Sequence, residues 1–315
     1  MAGILIAGDA FDDVRSMTWA KSCAGPRATS WVRGTGLSPQ RHDPCRCGGT
    51  VRNVVFTSAE ETPAHPYTLS IDVGGTGLKA SVLGKEGTMV ADRVKVETKY
   101  PMPPDGDTGL VATLTALVQP LPAADRISCG FPGMVRNGLI LSAPHFVTKK
   151  GPGTPVDEKL SAAWSKFDLA GALATALGKP TKVANDADIQ GAAVVKGDGL
   201  EVVITLGTGF GSALFLNGQL MPHLELAHQP FRKGETYNDQ LGELARKNKG
   251  DESWNERLRE AVTNLDGLFF FDHLYIGGGN ARRVDRDGLG DVLERVTIVD
   301  NTAGILGGVK LWEVG

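Results

Sequence analysis

From residue 67 onward, short apolar runs alternate with glycine-rich turns, and their spacing predicts the elements. The run Tyr67-Thr-Leu-Ser-Ile-Asp-Val73 is β-rich and ends in glycines. Residues 78–83 are apolar, Gly84-Lys-Glu-Gly87 reads as a hairpin turn, and 89–96 reads as a third strand. Leu110, Val111, Leu114, Leu117 and Val118 share one stripe, which predicts a helix over 108–118, ended by Pro120 and Pro122. Residues 127–135 read as another strand running into a glycine turn.

The second half repeats this order. Asp168 is placed to cap a helix over 169–177, and Gly178 stops it. Lys182-Val-Ala184 reads as a strand, and Asn185-Asp186 open a further helix through Val195. The apolar run Val202-Val-Ile-Thr-Leu206 leads into Gly207-Thr-Gly-Phe-Gly211, and a second hairpin continues through 212–216, Gly218 and Leu220-Met221. Trp254, Leu258, Val262, Leu265, Leu268 and Phe269 make a helical face. Leu274-Tyr-Ile-Gly-Gly-Gly279 is a strand ending in glycines, and 302–312 reads as a short helix with small residues on one side. Two hairpin-plus-glycine units, starting at Leu69 and Val202, are each followed by helix and strand. This predicts a duplicated α/β fold with a cleft between two lobes.

Residues 1–66 lack this periodicity and are rich in Gly, Pro, Ser and Thr, so a weakly ordered extension is expected there. The remaining segments are expected as a first α/β lobe over 67–184, a second over 185–300, and a terminal helix over 301–315 that returns to the first lobe. A length of 315 residues would alone suggest about two domains, at ~150 residues each. The chain is 41% hydrophobic and 22% charged, which excludes wholesale disorder. No apolar run approaches the roughly 18 residues of a membrane span, so no membrane partner is expected. A net charge of −3 argues against nucleic acid as a partner of the whole chain.

The cysteines Cys23, Cys45, Cys47 and Cys129 show no paired framework, which fits a reduced, cytoplasmic protein. His42, Cys45 and Cys47, with Cys23, offer four possible zinc ligands, but a structural zinc site usually has tighter paired spacing.

Glycine accounts for 41 residues, and part of that excess sits where chemistry is possible. In Asp72-Val-Gly-Gly-Thr-Gly-Leu-Lys79, backbone N–H groups at Gly74 and Gly75 can approach phosphate oxygens, while Thr76 adds a hydroxyl and Lys79 a cation. It is not a Walker A loop, since G-x-x-x-x-G-K-[ST] is absent. Gly207, Thr208 and Gly209 repeat the strand–glycine–strand context, and Gly277, Gly278 and Gly279 close a third strand. Two Gly-Thr loops, one per lobe, can grip a phosphate chain from both sides.

Asp72-Val-Gly-Gly-Thr-Gly-Leu-Lys79, Asn185-Asp186-Ala-Asp188, Leu206-Gly-Thr-Gly-Phe-Gly211, Glu225-Leu-Ala-His228 and Gly277-Gly-Gly279 together resemble the motif series of the ROK sugar kinases. Within that family the resemblance is to the polyphosphate glucokinase group, over about residues 67–315. It implies the actin-like (ribonuclease H-like) duplicated fold, phosphoryl transfer from polyphosphate or ATP to the 6-hydroxyl of glucose, Mg²⁺, and a homodimer.

By the same resemblance, Asp186 is the general base. Asn185, Glu225 and His228 bind sugar hydroxyls, with Glu235 a second sugar carboxylate. Asp72 places Mg²⁺ through water. Gly74, Gly75, Thr76, Lys79, Gly207, Thr208, Gly209, Gly277, Gly278 and Gly279 hold phosphate or nucleotide. Many relatives carry a zinc motif of clustered cysteines just after the His; here 228–254 has none, so no structural zinc is expected. Lys149, Lys150, Arg282, Arg283 and Arg286 are candidates for a basic groove beside the donor, and Gly151-Pro-Gly-Thr-Pro155 for a lid. Alternatives are an ATP-dependent kinase for another hexose, such as mannose or fructose, a sugar-responsive ROK repressor, and an actin-like assembly ATPase. The repressor would need a DNA-binding helix pair in 1–66, where seven Lys/Arg face six Asp/Glu and no helical period appears.

Overall fold

The computed structural model describes residues 65–151, 153–299 and 303–314. They belong to one compact unit, Ala59–Gly315; a second unit, Met1–Ser58, lies outside the described residues, as does all of the expected extension before residue 65, with the His42, Cys23, Cys45 and Cys47 set.

The first half holds β1 (Thr68–Val73), β2 (Gly77–Leu83), β3 (Val94–Glu97), α1 (Leu110–Val118) and β4 (Arg126–Phe131). Then come β5 (Val135–Arg136), β6 (Leu139–Ile140), α2 (Glu158–Trp164), β7 (Phe167–Asp168), α3 (Leu169–Leu177) and β8 (Thr181–Asn185). Five of these strands form a sheet in the order β3-β2-β1-β4-β8, with β1 parallel to β4 and β4 to β8. Leu69, Ile71 and Val73 alternate with polar neighbours along β1, and this face packs with Leu110 and Leu114 of α1 and Leu169 and Leu173 of α3 in one core. Asp168 accepts from the Gly171 N–H and caps α3, as its sequence position predicts.

The second half holds α4 (Asp186–Ala192), β9 (Leu200–Leu206), β10 (Phe210–Leu216), β11 (Gln219–Leu220), β12 (Pro230–Arg232) and β13 (Glu235–Thr236). It continues with α5 (Tyr237–Leu241), α6 (Glu243–Phe269), β14 (His273–Gly277), β15 (Val296–Ile298) and α7 (Ala303–Lys310). The sheet order β11-β10-β9-β14-β15 repeats that of the first sheet, again with a hairpin beside two parallel pairings. Apolar residues fill both faces of β9, with Val202, Ile204 and Leu206 in one core and Val203 in another.

Some boundaries differ from the sequence pattern, and each difference has a local cause. The third strand begins at Val94 rather than at 89: Met89 makes a single bridge to Leu83, and the partly exposed Ala91-Asp92-Arg93 interrupts the alternation. Helix α4 stops at Ala192, where the N–H groups of Val194 and Val195 both turn to the Gly191 carbonyl. Helix α6 starts eleven residues before Trp254, because its polar first part carries no apolar stripe and kinks at Gly250. Among the described residues, no helix is long and apolar enough to cross a membrane.

α7 packs on α4 and on β1 and β4. The Ser128 hydroxyl donates to the Gly308 carbonyl, and the Trp312 indole N–H donates to Ser128 (2.9 Å). Gly307 lies so close to the Ile189 carbonyl of α4 that a Cβ there would overlap it. Gly307→Val is therefore expected to lower stability by about 2 kcal/mol or more, read as a fall in the midpoint of urea unfolding.

Candidate active site

In an α/β sheet, ligands gather at the carboxyl ends of parallel strands. Here those ends carry Asp72 and the turn 74–77 (β1), Asn185 and Asp186 (β8 into α4), the turn 207–209 (β9), and Gly277 to Gly279 (β14). The two hairpin turns are built alike. The Gly74 N–H donates to the Gly77 carbonyl (3.0 Å), and the Gly207 N–H to the Gly209 carbonyl (2.9 Å). Neighbouring carbonyls are tied to the scaffold behind. Gly74 accepts from the Thr98 hydroxyl and Gly75 from the Tyr100 hydroxyl (both 2.7 Å). Gly207 accepts from the Glu243 N–H at the start of α6 (2.9 Å) and from Asn280 Nδ2 (3.3 Å).

Among the described residues, no group accepts from the N–H of Gly75, Thr76, Thr208 or Gly209. Tied carbonyls and uncommitted N–H groups are what an anion needs from a backbone. At the third turn, Gly278 has φ +88°, and a Cβ there would overlap the Leu206 backbone, so only glycine lets β14 turn this close to β9. The turn is braced by the Asn280 N–H, which donates to the Leu206 carbonyl (2.8 Å).

Asp186 is the first residue of α4, but it does not cap it. The N-cap is Asn185, whose Oδ1 accepts from the Ala187 N–H (2.7 Å), and Asp188 Oδ2 accepts in return from the Asn185 N–H (3.3 Å). Asn185 is buried, and its Nδ2 also donates to the Gly133 carbonyl (2.9 Å). Among the described residues, Asp186 accepts only from the Ala187 N–H (3.0 Å). Asp186 is exposed to solvent, yet many protein atoms crowd around it. Desolvation raises its pKa to about 6, the Ala187 hydrogen bond opposes this, and the charges of Asp72, Asp188 and Glu225 add to it.

Asp72 and Gly130 are register partners in β1 and β4, and a Cβ at Gly130 would lie 4.0 Å from Asp186 Cα. From the second lobe, a Cβ at Gly211 would lie 3.2 Å from the Ala187 methyl. Asp72, Asp186 and the start of β10 therefore share one region. Lys79 Nζ pairs with Asp72 (3.0 Å) across the first hairpin.

The sugar candidates divide. Glu225 lies near enough to Asp186 for its charge to be felt there. His228 is exposed at the end of a short 3-10 turn, Leu226–His228, and makes no hydrogen bond among the described residues. Glu235, exposed in β13, accepts from Gln240 Nε2, which Arg257 contacts in turn from a buried position.

Lys149 pairs with Asp157 (2.8 Å) and Arg283 with Asp251 (3.6 Å). The lysine pair ends at Gly151, which packs on the Tyr100 ring that also braces the first turn. Arg282, Arg283 and Arg286 follow the third turn.

Sequence reasoning passed over His223, whose ring is buried between Asp188 and Glu225. The spacing His223-x-Glu225, beside an N3 aspartate in a capping box, was the available signal. Thr98, Tyr100 and Asn280 were also missed, since their partners are backbone carbonyls.

The ROK family model matches residues 68–223. A polyphosphate glucokinase of Mycobacterium tuberculosis is 28% identical over 264 residues, covering 80% of this chain and 92% of that protein. The structure of an inorganic polyphosphate/ATP-glucomannokinase from Arthrobacter sp. strain KM superposes with a TM-score of 0.60 at 28% identity, over 79% of this chain and 100% of that one. A ROK family glucokinase from Streptomyces griseus, in complex with glucose and AMPPNP, shares the fold (TM-score 0.56, 19% identity, 78% and 98% covered). The paired sheets are thus the two lobes of an actin-like fold, and residues 68–223 carry a ROK family domain.

Proposed function

We propose that the protein transfers a phosphoryl group from polyphosphate, ATP or both to the 6-hydroxyl of glucose, giving glucose 6-phosphate, with Asp186 as general base. The observation that carries this reading is one region holding both an uncapped carboxylate with a raised pKa and glycine turns with uncommitted N–H groups. Asp186 takes the hydroxyl proton as the sugar oxygen bonds to the terminal phosphorus. The donor's bridging P–O bond breaks, and the shortened donor leaves with the electron pair.

Glu225, His228 and the second Nδ2 hydrogen of Asn185 hold ring hydroxyls, with Glu235 at the margin. The turns at 74–76, 207–209 and 277–279 hold the donor, and Lys79 adds a cation. Lys150, in the loop that packs on Tyr100, extends positive charge toward a long polyanion.

The residues fit Mg²⁺ in the form phosphate-transfer sites use it, with one or two carboxylates and the rest of its shell from phosphate and water. Asp72 offers an exposed carboxylate beside the first turn, while among the described residues no cluster of three or more acidic, His or Cys side chains forms a closed cage. Bound there, the ion would neutralise charge developing on the transferred group.

A coupled assay with glucose or mannose, and ATP or long-chain polyphosphate, tests the reading; no phosphorylation of any hexose by either donor would overturn it. Asp186→Ala is expected to cut kcat by at least about a hundredfold while calorimetry still detects sugar binding. In the wild type, kcat/KM should rise with pH through about 6, as Asp186 loses its proton.

Stability should move the other way. The folded pKa of about 6 exceeds the ordinary aspartate value of 3.8, so the contribution of Asp186 is present at low pH and lost as pH rises through 6. Asp186→Asn should therefore melt above the wild type at pH 8, with the gain vanishing near pH 4. A variant that melts lower at pH 8 would contradict this.

A further inference from the structure

His223 is used by no step above, yet it is one of the most enclosed titratable groups at the site. It precedes Glu225 by two residues, and its side chain is 2% exposed. Nδ1 lies 2.9 Å from Asp188 Oδ1, and Nε2 lies 3.7 Å from Glu225 Oε2, an ion-pair separation longer than a hydrogen bond. Its main chain is held from the first lobe, where Arg136 Nη2 on β5 donates to the His223 carbonyl (3.1 Å).

We propose that His223 is a positioning residue that fixes the Glu225 carboxylate relative to Asp186, by spanning from Glu225 to Asp188 on the helix that carries Asp186. This rests on the sugar-kinase reading, in which Glu225 binds sugar and Asp186 is the base.

Three observations support the role. First, both ring nitrogens face carboxylates, Nδ1 within hydrogen-bond distance of Asp188 and Nε2 at ion-pair distance from Glu225 with no hydrogen-bond partner among the described residues, and only an imidazolium carries a proton toward both. Second, Asp186, Asp188 and Glu225 feel one another's negative charge, and a cation between two of them relieves that repulsion. Third, burial alone would lower the ring's pKa, but the hydrogen bond to Asp188 and the nearby Glu225 carboxylate raise it to about 9. Burial also pushes the Asp188 carboxyl up, against the pull of the ring. The proton belongs on the ring, which meets two carboxylates where Asp188 meets one imidazole.

The charged groups around the ring are Asp188 and neighbouring Asp186 on α4, Glu225 on its own segment, and Arg136 at its carbonyl.

The test uses the full-length chain. His223→Asn can still donate to Asp188 but cannot reach Glu225. It is expected to raise the glucose KM about tenfold, with kcat within about threefold and the donor KM unchanged. In the wild type the glucose KM should rise as pH passes about 9, and in the variant it should be flat across that range. An unchanged glucose KM, or a pH inflection that persists in the variant, would overturn the proposal. NMR of the histidine ring in the wild type needs no variant: protonation of both nitrogens at pH 7.5 supports the bridge, and a neutral His223 there overturns it. Calorimetry with glucose and no donor separates this proposal from the reading beneath it. A wild type that binds no hexose overturns both, whereas equal glucose binding by wild type and His223→Asn overturns the role of His223 alone.

Discussion

The seven residues of α4 are the member on which both lobes bear. A helix this short has no stability of its own, and only packing can hold it. Packing meets it on several sides. Gly191 brings it so close to β10 that a Cβ would lie 2.6 Å from the Phe215 ring; Gly307 of α7 meets its Ile189 carbonyl; and Gly211 sits against Ala187. The N-terminus of α4 is therefore located by both sheets at once. Asp186, as its first residue, inherits that location, and so does any change in how the lobes sit against the helix.

The repeated sheet order has a second consequence. In each sheet the parallel strands end on the same side, and the neighbouring hairpin turns back at that same end. A turn there needs small residues to reverse direction, and glycine leaves its N–H groups unscreened. What distinguishes these turns from ordinary hairpins is the treatment of their carbonyls. Thr98 and Tyr100 hold the first turn, and Glu243 and Asn280 hold the second, each from behind. Turns braced in this way can meet an anion without rearranging, which is where preorganised electrostatics gains its advantage over water.

Much of this was legible in the chain. Short apolar or β-rich runs ending in glycines located β1 and β9, a helical stripe located α1, and the Asp168 cap and Gly178 stop of α3 fell where the turn chemistry placed them. The glycine turns were visible because glycine has few other reasons to cluster at strand ends. The early part of α6 was not, since a solvent-facing helix without an apolar stripe has no period to read. The bracing groups escaped for another reason. Thr98, Tyr100 and Asn280 act on backbone carbonyls far away in sequence, and backbone leaves no signature in residue identity. His223 was hidden by the stronger Glu225-x-x-His228 spacing, although it is His223 that is buried and His228 that lies open.

Asp72, Asp186, Asp188 and Glu225 lie close enough to influence one another, and the cations among them are unevenly shared. Lys79 pairs with Asp72, and His223 stands between Asp188 and Glu225. Among the described residues, no cation pairs with Asp186. The duties that would lower its pKa fall to its neighbours: Asn185 caps the helix, Asp188 completes the capping box, and the imidazole serves the two flanking carboxylates. A single hydrogen bond from Ala187 is left to stabilise the Asp186 anion, too little to offset desolvation and three neighbouring charges. The basicity of Asp186 is thus set first by desolvation, with the charges of Asp72, Asp188 and Glu225 adding to it. Substitutions at Asn185, Asp188 or His223 would then act on Asp186 through charge as well as through shape.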